Sequence, residues 1–310
     1  MKKMSEHFSL EQKLSQKPTF PPELWDKCQR NKDFMPILFE WYKYVGGACN
    51  ILASISRHSP AIREVPALHY AILTGLLNRC SRLMLSNMRL SVTKKYGETI
   101  MLLNRSIIES AVTVQWLCCK DSEDCFQRYL ADAIKRDLKL KDYIQRKIAE
   151  RGGDALIIEN RMLASMQECI DSTGLSEEQI RKTKALPDLW SMCRDCGLSE
   201  RFYIAAQGMG SHAVHGTWTV LRSHYLRQDE NGEYYLRDHN VRPHEDQFMV
   251  ILLVILETLK RFMEYVVPNV TDRGPVESIL TETMADIGKL TSEIVSPDFE
   301  FDTDSGSVEQ

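Results

Sequence analysis

Apolar side chains recur every three or four residues along most of this chain, the spacing that lines one face of a helix. The pattern predicts a short helix from about Pro22, where proline suits a first turn. Another covers 36–58, with Gly46-Gly47 as its weak point. Beyond a connection enclosed by Pro60 and Pro66, longer helices are expected over 67–90 and 98–120, with a break at Gly97. The second of these is apolar on most faces, which marks a central helix. Asp121-Ser122-Glu123-Asp124 offers a cap and an acidic first turn to a helix over 125–153 that ends at Gly152-Gly153. Further helices are expected over 155–172, 176–184, 188–196, 199–226, 244–267 and 275–294.

One stretch departs from this rhythm. In 224–240, Asn231-Gly232 lies between two arms that contain aromatic residues, a hairpin signal. Strands and helices do not alternate, which argues against a parallel-sheet nucleotide fold. No Gly-rich phosphate loop and no repeat of solenoid length is present. The fold class is therefore all-α: a multi-helix bundle with one β-hairpin near 224–240. The expected organisation is a polar N-terminal arm over 1–20, a single helical domain over 21–294 and an acidic tail over 295–310, too poor in apolar residues to fold.

Composition adds limits rather than direction. With 43% hydrophobic and 26% charged residues the chain reads as globular, and a net charge of −4 excludes a generic polyanion binder while leaving local basic patches open. Nine cysteines scattered through apolar runs read as reduced, buried thiols, and so as a cytoplasmic protein. The first residues lack the apolar core of a signal peptide. The longest apolar run, 248–256, is too short to span a bilayer and reads as a buried helix, so no membrane association is expected.

The chemistry-bearing residues concentrate in two segments. Arg105 and Glu109 lie four apart on the helix expected to be central, among apolar neighbours. Ser211 and His215 are likewise four apart, with Gly208 on the same side to let another helix or a ligand approach. Drawn together, these four would form a polar cluster. Glu109 would orient His215, and Arg105 would hold an anionic group bidentately. The plainer reading is a buried polar network that fixes helix register.

Other patterns carry less. Cys193-x2-Cys196 followed by His212-x2-His215 has the order of a zinc site, but both pairs sit inside helices and the histidine spacing is short. Arg222, Arg227, Arg237 and Arg242 interleave with Tyr225, Tyr234 and Tyr235, a composition that suits single-stranded nucleic acid or an ordinary exposed loop. The cations of 125–153 alternate with carboxylates, as on a solvated outer helix with pairs spaced i to i+4. Arg63 and His69 are separated by Pro66, which disturbs any helix joining them.

The R-x-x-x-E segment 105-RSIIESAVTVQWL-117, the charged helix after it and the S-x-x-x-H segment 203-YIAAQGMGSHAVHGTW-218 resemble an uncharacterised all-helical bacterial family, a domain of unknown function, over roughly 35–270. The resemblance implies a helical fold with Arg105, Glu109, Ser211 and His215 as its constellation, and implies no activity. A remoter similarity to HEPN-type helical proteins implies metal-independent cleavage of an RNA or nucleotide phosphodiester. The leading expectation is thus a cytosolic helical effector of a stress or phage-defence system, with no cofactor. His215 would be its general acid or base, and Arg105 would stabilise charge on phosphate. The alternatives are a non-catalytic module that binds a partner protein, and a nucleotide sensor.

Overall fold

The computed structural model describes residues 10–237 and 241–294. The described chain enters in a helical turn at 10–14 (α1). It continues through α2 (Pro22–Asn31), α3 (Met35–Ala53), α4 (Ala67–Ser91), α5 (Gly97–Lys120), α6 (Glu123–Glu150) and α7 (Ile157–Ser172). Then come α8 (Glu177–Lys182), α9 (Leu189–Asp195), α10 (Glu200–His215) and α11 (Trp218–Val220), a π-turn at Leu221–Tyr225, and a hairpin of β1 (Leu226–Gln228) and β2 (Tyr234–Leu236). Two long helices, α12 (Asp246–Val266) and α13 (Val270–Ile294), complete the bundle. The fold is all-α with one two-stranded antiparallel hairpin, and no helix among the described residues is long and apolar enough to cross a membrane.

Helix α5 is the axle. Every residue from Ser110 to Cys118 is buried, because α4, α9, α10 and α12 close around a segment that is apolar on nearly all sides. Trp116 alone, 1% exposed, contributes about 1.5–3 kcal/mol of burial by the usual area scaling. The apolar run of α12 supplies the facing layer, with Phe248, Ile251, Leu252, Ile255 and Leu259 fully buried. Helix α6 joins this core only at its start, through Cys125 and Phe126. Its buried residues recur at Ala131, Ile134, Leu138 and Ile144, and part of that stripe joins Ile170 and Ile180 in a small second cluster under α7 and α8. Its exposed charges pair along the helix, as in Arg128–Asp124 and Arg136–Asp132.

Local departures from the sequence pattern have visible causes. Helix α3 runs unbroken through Gly46-Gly47, and a methyl group on Gly46 would make ordinary van der Waals contact with Met84 Cβ of α4 at 3.6 Å. The helix expected over 199–226 breaks at Gly216, which takes the left-handed conformation (φ 54°) that ends α10. Helix α13 begins at Val270, ahead of Gly274, and runs through Pro275, which lies inside it in the second turn. In the arm expected over 1–20, Leu14 is buried, its carbonyl accepts from Tyr44 Oη (2.5 Å), and Lys17 sits between Asp286 (2.9 Å) and Glu282 (3.3 Å). The tail expected over 295–310 and residues 1–9 lie outside the described residues.

Two sets of interactions fix how the helices sit on α5. Buried amides form the first: Asn87 Nδ2 donates to Asn104 Oδ1 (2.6 Å) and Tyr42 Oη (3.1 Å), and Asn104 Nδ2 donates to the Gln247 carbonyl (2.9 Å). Gln115 Nε2 donates to Thr258 Oγ1 (2.9 Å), a second tie to α12. The second is a close approach. A methyl group built on Gly210 would overlap Arg105 Cβ and come within 3.0 Å of its Cγ and Cδ, so α10 lies against the Arg105 stem with no room for a side chain.

Both sets yield predictions. Asn104→Leu strands the Asn87 amide and the Gln247 carbonyl, and is expected to cost about 1–3 kcal/mol in denaturant unfolding. Changing Asn87 to leucine as well restores part of that loss, whereas an unchanged midpoint in the single variant would show the amides to be idle. Gly210→Ala is expected to lower the melting temperature by several degrees, since overpacking of about 1–3 kcal/mol exceeds a helix-propensity gain of up to ~1 kcal/mol. Gly208→Ala faces open space and should leave the melting temperature unchanged or raised. Equal melting temperatures in the two variants would contradict the close contact.

Candidate functional site

Helices α4 and α10 both run antiparallel to α5. For α4 the pairings are Asn87 with Asn104 and Arg79 with Ser110. For α10, Gly210 meets Arg105, while Asp195, just ahead of that helix, accepts from Trp116 Nε1 and Lys120 Nζ at the far end of α5. At 100° per residue, Asn104 and Gln115 point to α12, Arg105 and Trp116 to α10 and α9, and Ser110 to α4. Leu102, Ser106 and Glu109 fall in the remaining sector, and each is partly or fully exposed. They form the floor of a groove whose walls are α4 and α10. The right-handed turn of two antiparallel neighbours brings Arg79 and Ser86 on one wall and Ser211 and His215 on the other to the same sector.

The groove holds the expected constellation, but not as a contact cluster. Arg105 Nε donates to Glu109 Oε1 (2.9 Å), with side chains 26% and 47% exposed, so this pair exists and is only partly buried. Arg105 Nη1 is shielded from solvent and lacks a hydrogen-bond partner among the described residues. Ser211 is half-buried, and His215 is exposed with no hydrogen bond among the described residues. The register separates the two halves. With Gly210 opposite Arg105, Glu109 lies level with Ala206, and His215 lies level with Ile100. Nine residues of helix, about 13 Å along the axis, separate Glu109 from His215. Glu109 therefore orients Arg105 and not His215. The glycine at the interface is Gly210 rather than Gly208, which is exposed.

The α4 wall carries charge that sequence spacing had not singled out. From Val65 to Gly97 the chain has no carboxylate, yet it holds Arg79, Arg82, Arg89, Lys94 and Lys95. Arg79 Nη1 donates to the Ser106 carbonyl (2.9 Å) and to Ser110 Oγ, which binds it into the floor. Arg82 and Arg89 are exposed and have no ion pair among the described residues. With Ser86 they form an outward stripe at three- and four-residue spacing. The signal was present in the sequence as a gap in acidic residues rather than as a motif.

The remaining candidates are placed as follows. Cys193 and Cys196 are buried at α9, His212 Nδ1 faces Thr217 Oγ1 (2.9 Å) and His215 is exposed, so the four do not converge. Among the described residues, no three histidine, cysteine or acidic side chains are grouped to hold a metal. The hairpin arginines are not one surface. Arg222 is exposed, Arg242 pairs with Asp33 (2.9 Å) at the other end of the loop, Arg227 and Arg237 are half-buried, and Asp229, Glu230 and Glu233 crowd the tip. Trp218 packs edge-on against Tyr234 with ring centres 5.3 Å apart, and Tyr225 Oη donates to Glu98. Burial holds the neighbouring His224 below its ordinary pKa against the pull of Glu98. Arg63 is bidentate to Asp121 (2.8 and 2.6 Å) beneath Tyr265, whereas His69 stacks on Phe126, so each is held by its own partners.

Against known proteins, residues 70–234 match the model of a family of unknown function, DUF5677. The matched segment opens in α4 and closes in the hairpin, so it takes in every element that builds the groove, and it is narrower than the 35–270 span of the sequence resemblance. The match brings no relation to HEPN-type proteins. No curated protein and no solved structure matches the chain. Since the matched residues make up just over half of its length, the chain belongs to this family of unknown function, DUF5677.

Proposed function

We propose that this domain binds an RNA or nucleotide phosphodiester along the groove between α4, α5 and α10, as the recognition step of a helical effector. One observation carries the reading: the α4 wall presents Arg82 and Arg89, with no ion pair among the described residues, in a 33-residue stretch, Val65 to Gly97, devoid of carboxylates, within a protein of net charge −4. Such segregation concentrates positive potential over one groove while the whole molecule repels polyanions weakly. Arg82 and Arg89 contact phosphates from the rim, and Arg105, held by Glu109, offers a guanidinium at the floor. Ser86, Ser106 and Ser211 add hydroxyl groups for phosphate or ribose oxygens.

Metal-independent cleavage is the finer form of this reading. It assigns proton transfer to the exposed His215 and charge stabilisation to Arg105. His215 then works without an orienting carboxylate from Glu109, given the register of α10 on α5. A second reading, a protein-binding module, draws on the exposed Ile204 (61%), Trp218 (55%) and Leu236 (80%) along α10 and the hairpin.

Titrating labelled single-stranded RNA against wild type and the double variant Arg82→Ala, Arg89→Ala tests the binding step. The variant is expected to bind at least about tenfold more weakly, with the slope of log K against log salt reduced by about 1.4, or about 0.7 for each phosphate no longer neutralised. Unchanged affinity and slope would contradict the groove. RNA cut by wild type but only bound by His215→Ala would support the hydrolytic form, and RNA bound but never cut by wild type would remove it.

A further inference from the structure

Away from the groove, two thiols meet where α5 ends. Cys119 lies in the last turn of α5 and is exposed, and Cys196 forms the C-cap of α9 and is buried. Asp195 brings them together: its Oδ2 accepts from Trp116 Nε1 (3.1 Å) and from Lys120 Nζ (3.1 Å). Trp116 and Lys120 bracket Cys119, and Asp195 precedes Cys196, so this clamp pins the two cysteines' backbones side by side, and each thiol is the largest influence on the other. Arg261 of α12 adds a positive charge, opposed by Glu257 and Glu264 on the same helix. The hydrogen bond from Cys196 and the nearby guanidinium hold the Cys119 thiol below its ordinary range, while Cys196, as the donor, is held far above. Cys169 on α7 is the other exposed cysteine of the nine, and it stands apart from this clamp.

We propose that Cys119 and Cys196 are a peroxide-sensitive pair that closes to an intramolecular disulfide. The Cys119 thiolate attacks one oxygen of hydrogen peroxide, an S–O bond forms, the O–O bond breaks and hydroxide leaves. Cys196 then attacks the resulting sulfenic sulfur. The S–S bond forms, the S–O bond breaks, and the hydroxyl leaves with the Cys196 proton as water. Together the two sulfurs give up two electrons, and one peroxide becomes two waters once the first hydroxide takes up the proton released when Cys119 ionised. The bond ties the end of α5 to the cap of α9, from which Gly197 leads into α10.

Peptide mapping of the full-length protein after equimolar hydrogen peroxide tests the pair. The Cys119–Cys196 linked peptide is expected as the main product, with Cys169 still reduced. Cys196→Ser leaves Cys119 without its resolving partner, and dimedone should then trap a sulfenic acid at Cys119. Alkylation by iodoacetamide gives an independent readout. From pH 8 to pH 7 an ordinary thiol slows about eightfold to tenfold, whereas Cys119 is expected to slow less than about twofold. Oxidation of Cys119 no faster than of Cys169, a disulfide to another cysteine, or full slowing at pH 7 would each overturn the proposal.

Discussion

The contact of Gly210 with the stem of Arg105 decides how the half of the molecule around the groove is put together. A helix can lie this close to another only where one side chain is missing, and α10 supplies that gap at one residue facing α5. Once Gly210 is opposite Arg105, antiparallel packing sets the level of every other residue on α10. Ser211 comes level with Asn104, His215 is carried toward the start of α5, and Glu109 is left level with Ala206. The four residues that look like one cluster on paper become two stations along a groove: an Arg105–Glu109 pair in the middle and a histidine near one end.

The same packing explains why the groove is electropositive on one side. α4 is held to α5 by neutral groups, Asn87, Cys80 and the apolar row Leu73, Leu76, Leu77 and Met84, together with the hydrogen bonds of Arg79. None of these interactions needs a carboxylate on α4. Its outward cations can therefore remain without ion pairs, unlike those of α6, where neighbouring acids pair with many of the charges. Arg82 and Arg89 stay exposed to solvent for that reason.

Much of the fold was legible along the chain. A helix apolar on most faces, as from Ile107 to Leu117, has to be central, and that is where α5 lies. Asn231-Gly232 marked the hairpin, although its turn is the five residues 229–233, with Asp229 Oδ1 accepting from Asn231 and Glu233. The site was legible in its residues but not in its assembly. Spacing relates positions on one helix; it says nothing about which residue of another helix stands opposite. Gly208 shares a side with Ser211 and His215, yet the glycine in contact is Gly210, because Arg105 meets α10 there. The amides of Asn87, Asn104 and Gln247 were hidden for the same reason, and so was Cys196, whose near neighbour in sequence is Cys193 but whose partner in space is Cys119.

A thermodynamic cycle on the contact between α5 and α10 tests this account most directly. Unfolding free energies would be measured for wild type, Gly210→Ala, Arg105→Gly and the double variant. Removing the Arg105 side chain takes away what the new methyl group meets, so Gly210→Ala should lose its cost in the Arg105→Gly background, with a coupling of at least about 1 kcal/mol. Additive effects, with Gly210→Ala equally costly in both backgrounds, would mean that Gly210 does not rest on Arg105, and the register that places Glu109 and His215 apart would fall with it.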